Sequence, residues 1–268
     1  MLEIRLFFEG EDKMKSAQAL LPRKIRRSYG KWFLTKVKRA IQRYEMLTTG
    51  DKVLVGASGG KDSSALLYIL WLLKNFSPLE FEFEAVFLDL GWGLDPKPLA
   101  QFCQEHGIPF HVEPTVIKAI VFDYRKEEHP CALCSHLRRG ALHQVAQRLG
   151  CNKVALGHHL DDFLETFLLN WLYNGRFYTF LPATYLTRSG LTVIRPLIYL
   201  REATVEALAR KENLPVLANP CPAAGQTRRQ EVKELVKFLA MKYPYIRERF
   251  LTAWEEVLTG SFNPGPNL

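Results

Sequence analysis

An α/β fold, a parallel sheet flanked by helices, is what this 268-residue sequence predicts, and three observations predict it. Apolar β-branched runs alternate with longer apolar segments of helical length, in repeated β-α order. The first such run, Val53-Leu-Val, breaks into a glycine pair that feeds directly into a helix. A hydrophobic content of 47% is also enough to bury a full core in one large domain with appendages.

The elements follow in order. After the strand at 53–55, Asp62 to Phe76 reads as a strongly apolar helix, Phe81 to Leu88 as a strand ending at Asp89, Pro98 to His106 as a helix and Ile108 to Glu113 as a strand. Ser135 to Leu149 is a further helix, Lys153 to Gly157 a strand and Asp161 to Tyr173 a helix. From Phe177 to Leu200 the chain is β-rich with turns, and Glu202 to Glu212 is helical. Residues 228–258 read as C-terminal helices broken at Pro244, with a Gly/Pro/Asn tail expected to be disordered. The expected organisation is a basic helical arm at 1–48, a nucleotide-binding domain at 49–220, and C-terminal helices with the tail at 221–268.

The longest apolar run, Ala65 to Leu73, is nine residues and far too short to span a bilayer. The N-terminal residues carry acids where a signal peptide would carry lysines, and five cysteines suit a reducing compartment, so a cytoplasmic protein without membrane partners is expected. The net charge of +8 is concentrated. Lys13 to Arg43 holds eleven Lys or Arg residues and no acid, interleaved with Tyr29, Trp32, Phe33 and Tyr44, which suits phosphates together with sugar and base faces. A solvated basic helix packed on the core is the plain alternative.

Three clusters carry chemistry. In Ser58-Gly-Gly-Lys-Asp-Ser63, Gly59 and Gly60 allow a tight turn that points bare N–H groups at an anion, the helix dipole adds to them, and Lys61, Ser58 and Ser63 supply further donors. A Walker A loop is excluded, since Val55 and Asp62 stand where it needs Gly and Ser/Thr. The second cluster is Cys131-Ala-Leu-Cys134, followed by Arg138 and Arg139 at the mouth of a helix; by itself it fits half a zinc site, a dithiol pair or part of an iron–sulfur ligand set. Cys221 follows in a proline-fixed loop, whereas Cys103 and Cys151 read as buried small hydrophobes. The third is Gly157-His-His159-Leu-Asp161-Asp162 with Glu165 one turn on, carboxylates that can hold Mg²⁺ or take up a proton, or simply cap a helix. The phosphate loop, Asp89 and the 157–162 turn should meet beyond the carboxyl ends of the strands.

SGGKDS resembles the PP-loop of the ATP pyrophosphatases. With CxxCxxLRRG, GHHxDDxxET, Arg195-Pro-Leu197 and the Pro-Cys-Pro loop in this order, the chain resembles the TtcA family, the tRNA 2-thiocytidine synthetases, over residues 30–240. The resemblance implies an adenine nucleotide α-hydrolase-like domain that binds ATP and Mg²⁺, and a [4Fe-4S] cluster on Cys131, Cys134 and Cys221. It implies thiolation of a pyrimidine, with cytidine the expected base, after adenylation of the C2 carbonyl. Asp62, Asp162, His159 and Arg138 are then the catalytic candidates, and Ser58 to Ser63, Asp89, Gly157 and Asp161 the nucleotide-site residues. The implied partners are a tRNA, a sulfur donor such as a cysteine desulfurase and, as one option, a second copy of the chain. One departure stands out. The loop after Cys221 reads Pro-Ala-Ala-Gly, where the best-studied members carry another cysteine nearby, which leaves room for a branch with a different target nucleoside. A persulfide relay through Cys131 and Cys221, a tRNA-amidating ligase of the same fold, and a nucleotide-binding metal-containing regulator are the alternatives.

Overall fold

The computed structural model describes residues 28–223, 225 and 227–259. A helix at Thr35–Arg43 (α1), entered through a π turn at Gly30–Leu34, leads to β1 (Lys52–Gly56) and α2 (Lys61–Phe76). There follow β2 (Glu82–Asp89), α3 (Lys97–Glu105), β3 (Phe110–Pro114), α4 (Pro130–Arg148), β4 (Lys153–Ala155) and α5 (Leu160–Asn174). The chain ends in β5 (Ala183–Leu186), β6 (Leu191–Ile194), α6 (Glu202–Lys211), α7 (Arg228–Lys242) and α8 (Ile246–Thr259). The expected β-α alternation is present, and Pro244 falls in the break between α7 and α8.

The six strands form one sheet in the order β3-β2-β1-β4-β6-β5, parallel except for the β5–β6 hairpin. The period-2 alternation of strand side chains sends neighbouring residues to opposite faces. Val53 and Val55 enter one apolar cluster and Leu54 the other, and Ala155 and Val154 part in the same way. The first cluster is built by α1–α3 and α5–α8, the second by Leu142, Val145 and Ala146 of α4. The chain leaves β1 for β2 on one side and reaches β4 on the other. That reversal opens a crevice at the carboxyl ends of β1 and β4, the place where such sheets hold ligands.

Two expectations are corrected. Tyr29 and Phe33 are buried in the main cluster, so they offer no face to nucleic acid; helical spacing puts them with Val37, Ala40 and Ile41 on the core side of the arm. Helix α4 starts at Pro130 rather than Ser135. Proline lacks the N–H that the first turn leaves unpaired, and so it begins the helix and takes both cysteines of the CxxC pair into it.

Among the described residues, no helix is long and apolar enough to cross a membrane. If the arm is part of the core, Phe33→Ala, at a site with 0% exposure, should cost about 3–5 kcal/mol of stability. Urea unfolding of the full chain measures it, and a loss below about 1 kcal/mol would make the arm an appendage.

Candidate functional site

The loop between β1 and α2 is shaped by its own hydrogen bonds. Gly59 sits at φ +83°, a left-handed conformation that suits glycine, and an added Cβ would stand 2.9 Å from Leu217. Ser63 Oγ donates to the Gly60 carbonyl at 2.8 Å, and the Ser58 and Ser63 hydroxyls lie 3.2 Å apart. Gly60 caps α2 with an extended backbone, so the first N–H groups of a largely buried helix face the crevice. Gly157, after β4, approaches from the other side. A Cβ there would lie 2.9 Å from the backbone of Asp62, which only glycine avoids.

The charges around the loop are fixed by partners that local patterns do not reveal. Lys61 donates to Asp62 and, at 3.0 Å, to Glu202, which also receives Lys233 of α7 at 2.7 Å. Burial alone would raise the Glu202 pKa, but the two lysines outweigh it and hold the carboxyl at about 2. Burial likewise pulls the Lys61 ammonium down, while Asp62 and Glu202 more than restore it, so its pKa is raised. Two ammonium groups therefore stand beside the phosphate loop in fixed positions.

Asp161 is buried, and both of its oxygens are engaged: one accepts the Glu202 N–H at 2.7 Å, the other pairs with Arg247 of α8. Through these bonds it joins α5, α6 and α8. His159 caps α5. Its Nδ1 accepts the Asp162 N–H at 3.3 Å while Asp162 Oδ2 accepts the His159 N–H at 3.0 Å, so the ring proton belongs on Nε2, 3.7 Å from Asp62 Oδ1. Asp162 Oδ1 also pairs with Arg229 at 3.3 Å. Of the three aspartates, Asp62 is the most exposed. Asp89, at the end of β2, accepts the Gly91 N–H at 2.9 Å and shapes the turn on the same sheet edge. Glu165 is buried, and burial first, then the neighbouring Asp162 charge, pushes its pKa up to about 7.

The cysteines divide as expected: Cys103 and Cys151 are buried, with burial pushing the Cys103 thiol up to about 12, whereas Cys131, Cys134 and Cys221 are free thiols with access to solvent. Burial raises the Cys134 pKa, Arg138 opposes it, and the Cys221 and Cys131 charges add to the rise, so Cys134 stands within electrostatic reach of the other two thiols. Among the described residues no group of three or more His, Cys, Asp or Glu side chains closes around a single metal ion. Three thiolates and no other donor type make a set whose chemistry suits an iron–sulfur cluster.

The phosphate loop and the third thiol are joined through the chain. Leu217 donates its N–H to the Gly59 carbonyl at 2.8 Å, and Ser64 Oγ donates to the Pro215 carbonyl at 2.6 Å. Cys221 lies four residues beyond Leu217. Extended backbone covers at most about 3.6 Å per residue, so the cysteine is held within about 14 Å of that hydrogen bond.

Glu202, Lys233, Arg229 and Arg247 carry no signal of their own in the sequence, because their partners lie 31 to 141 residues away and no local spacing marks the pairing.

Residues 33–237 match the PP-loop domain family. The chain is 38% identical to a tRNA-cytidine(32) 2-sulfurtransferase of Geotalea uraniireducens over 83% of its own length and 90% of the relative's. It is 39% identical to the protein of that name from Syntrophotalea carbinolica, over 86% and 88%. Among solved structures, the U34-tRNA thiolase NcsA from Methanococcus maripaludis with its [4Fe-4S] cluster superposes with a TM-score of 0.69 at 24% identity, over 85% of this chain and 79% of that one, a likeness of fold. A PP-loop at the β1–β4 crevice and relatives of this identity and coverage lead to one conclusion: the chain belongs to the PP-loop proteins and, within them, to the tRNA-cytidine(32) 2-sulfurtransferase family.

Proposed function

We propose that this chain is an ATP-dependent tRNA sulfurtransferase that adenylates a pyrimidine C2 carbonyl, that of a cytidine, and replaces its oxygen with sulfur in the cytoplasm. The observation that carries the reading is the hydrogen bond from Leu217 to Gly59, which ties the segment bearing the third thiol to the phosphate loop. Nucleotide activation and sulfur delivery then share one crevice. The names of the relatives support tRNA as the substrate.

The chemistry divides among the chain's own residues. A carbonyl oxygen is a poor leaving group, so it first attacks the α-phosphorus of ATP, forming an O–P bond as the bond to pyrophosphate breaks. The N–H groups of the 58–63 loop, with Lys61 and Lys233, stabilise the charge that builds on the departing pyrophosphate. Asp62 holds Mg²⁺ on the phosphates. Asp161, Asp162 and His159 keep the helices around the loop in register. Cys131, Cys134 and Cys221 hold the [4Fe-4S] cluster, and Arg138 offsets their negative charge. When bound there, the cluster would supply the sulfur chemistry. Attack of hydrosulfide-level sulfur at C2 forms the C–S bond as the C2–O bond breaks and AMP leaves. A donor such as a cysteine desulfurase, together with a two-electron reductant, renews the sulfur.

The exposed face of α1, with Lys36, Lys38, Arg39 and Arg43 and no acid, holds tRNA phosphates. Lys13, Lys15, Arg23, Lys24, Arg26 and Arg27 of the same stripe lie outside the described residues.

Changing Cys131, Cys134 and Cys221 together to Ala should remove bound iron and sulfide from anaerobically purified protein. Iron content equal to wild type would refute the ligand assignment, and one zinc per chain would favour a structural metal.

With tRNA added, wild type should convert ATP to AMP and pyrophosphate, and Lys61→Ala should lower that rate by about 100-fold while keeping its iron. Gly59→Ala should lose pyrophosphate release and also perturb the cluster spectrum, because its Cβ displaces Leu217. Appearance of ADP in wild type would overturn the phosphate-loop assignment.

Changing Lys36, Lys38, Arg39 and Arg43 to Glu should weaken tRNA binding and flatten its dependence on salt, by about 0.9 in log–log slope for each phosphate no longer neutralised. A filter-binding titration at two salt concentrations measures it, and unaltered affinity would reduce the stripe to a solvated face.

A further inference from the structure

Two nitrogen atoms beyond the carboxyl ends of β4 and β6 are buried without a hydrogen-bond partner, His158 Nδ1 and Arg195 Nε. They share one neighbour. The His158 ring lies 4.9 Å from the ring of Phe180, and the Arg195 guanidinium carbon stands 4.8 Å over the same ring. Because β4 and β6 are adjacent parallel strands with Ala155 opposite Ile194, the two residues leave the sheet side by side at the crevice. A buried donor or acceptor left unmet is costly, and two beside one ring mark a place built for a ligand.

The charges limit what that ligand is. Among the described residues no carboxylate forms an ion pair with Arg195; its Nη1 donates to the Leu181 carbonyl at 2.7 Å. Burial holds its pKa down at about 10, with Tyr178 opposing and Arg139 of the cysteine helix adding to the fall. Burial also drives His158 to about 4, against Asp162 and with Arg195 and Arg229, so the imidazole is neutral. A neutral imidazole beside a guanidinium rejects a metal ion. It suits a flat, uncharged group that accepts one hydrogen bond and donates another. The site also lies within electrostatic reach of both the cysteine helix, through Arg139, and the α5 turn, through Asp162.

We propose that His158 and Arg195 read the Watson–Crick edge of the target pyrimidine: Arg195 Nε–H donates to ring N3, and His158 Nδ1, with its proton on Nε2, accepts from the exocyclic amino group of cytosine. This rests on the sulfurtransferase reading above. Uracil presents a ring N–H and a carbonyl at these positions, both of the wrong polarity. A donor at N3 also draws electron density from C2, the atom to be attacked.

The test is fluorescence anisotropy of a short stem-loop RNA carrying cytosine, uracil or pyrimidin-2-one at the target position, with a non-hydrolysable ATP analogue present. Pyrimidin-2-one keeps N3 and O2 and lacks only the amino group. Wild type should bind the cytosine loop about tenfold or more tightly than either alternative. His158→Phe, which keeps a ring against Phe180, should bind cytosine and pyrimidin-2-one loops equally, and Arg195→Lys should weaken both alike. Equal binding of the two by wild type overturns the proposal without any variant, as does full discrimination by a folded His158→Phe. Discrimination that persists in a protein unable to thiolate RNA would instead overturn the sulfurtransferase reading and support this site.

Discussion

One carboxylate organises the crevice. Glu202 accepts from Lys61 at the start of α2 and from Lys233 of α7, and its own N–H is held by Asp161 of α5, which pairs with Arg247 of α8. Five helices, counting α6 itself, meet through a chain of charges at the edge of the phosphate loop. Only Asp161 of this set is buried, and removing its partner Arg247 would leave an uncompensated buried charge, at a cost of about 3–5 kcal/mol. The benefit is preorganisation. Each ammonium carries three donors; Lys233 spends one on Glu202 and Lys61 spends two, on Glu202 and Asp62, so each keeps at least one for phosphate oxygens.

Much of this was legible in the sequence because it is locally encoded. Strand and helix order follows from hydrophobic period, and the glycine loop announces itself by the conformations it needs: Gly59 at positive φ, and Gly157 where the α2 backbone passes too close for any Cβ. The separation of accessible from buried cysteines also followed from their spacing and from the elements they sit in. What could not be read was which side of a helix faces what. The aromatic residues of the arm look like an RNA-binding set beside eleven cations, yet a helix with one charged stripe must bury the other, and Tyr29 and Phe33 lie on the buried one. Asp161 and Asp162 are neighbours in a single motif, but the rotation of about 100° between consecutive helical residues sends Asp161 to Arg247 and Asp162 to Arg229. Partners across 40 or more residues carry no local signal.

The arrangement of thiols and phosphate loop answers a chemical demand. A pyrimidine adenylated at C2 is open to water as well as to sulfur, and sulfur prevails only if it is already in place when activation occurs. Proximity of that kind contributes several kcal/mol to the competition. Here the chain supplies connectivity, since the Leu217–Gly59 hydrogen bond and the Ser64–Pro215 hydrogen bond pin the segment just before Cys221 to the PP-loop turn and the start of α2. The CxxC pair reaches the same edge on a separate helix, packed on the opposite face of the sheet. Thiols supplied from both faces can meet only beyond the strand ends, and that is where the β1–β4 crevice opens. The fold thus leaves one place where phosphate, base and sulfur can coincide.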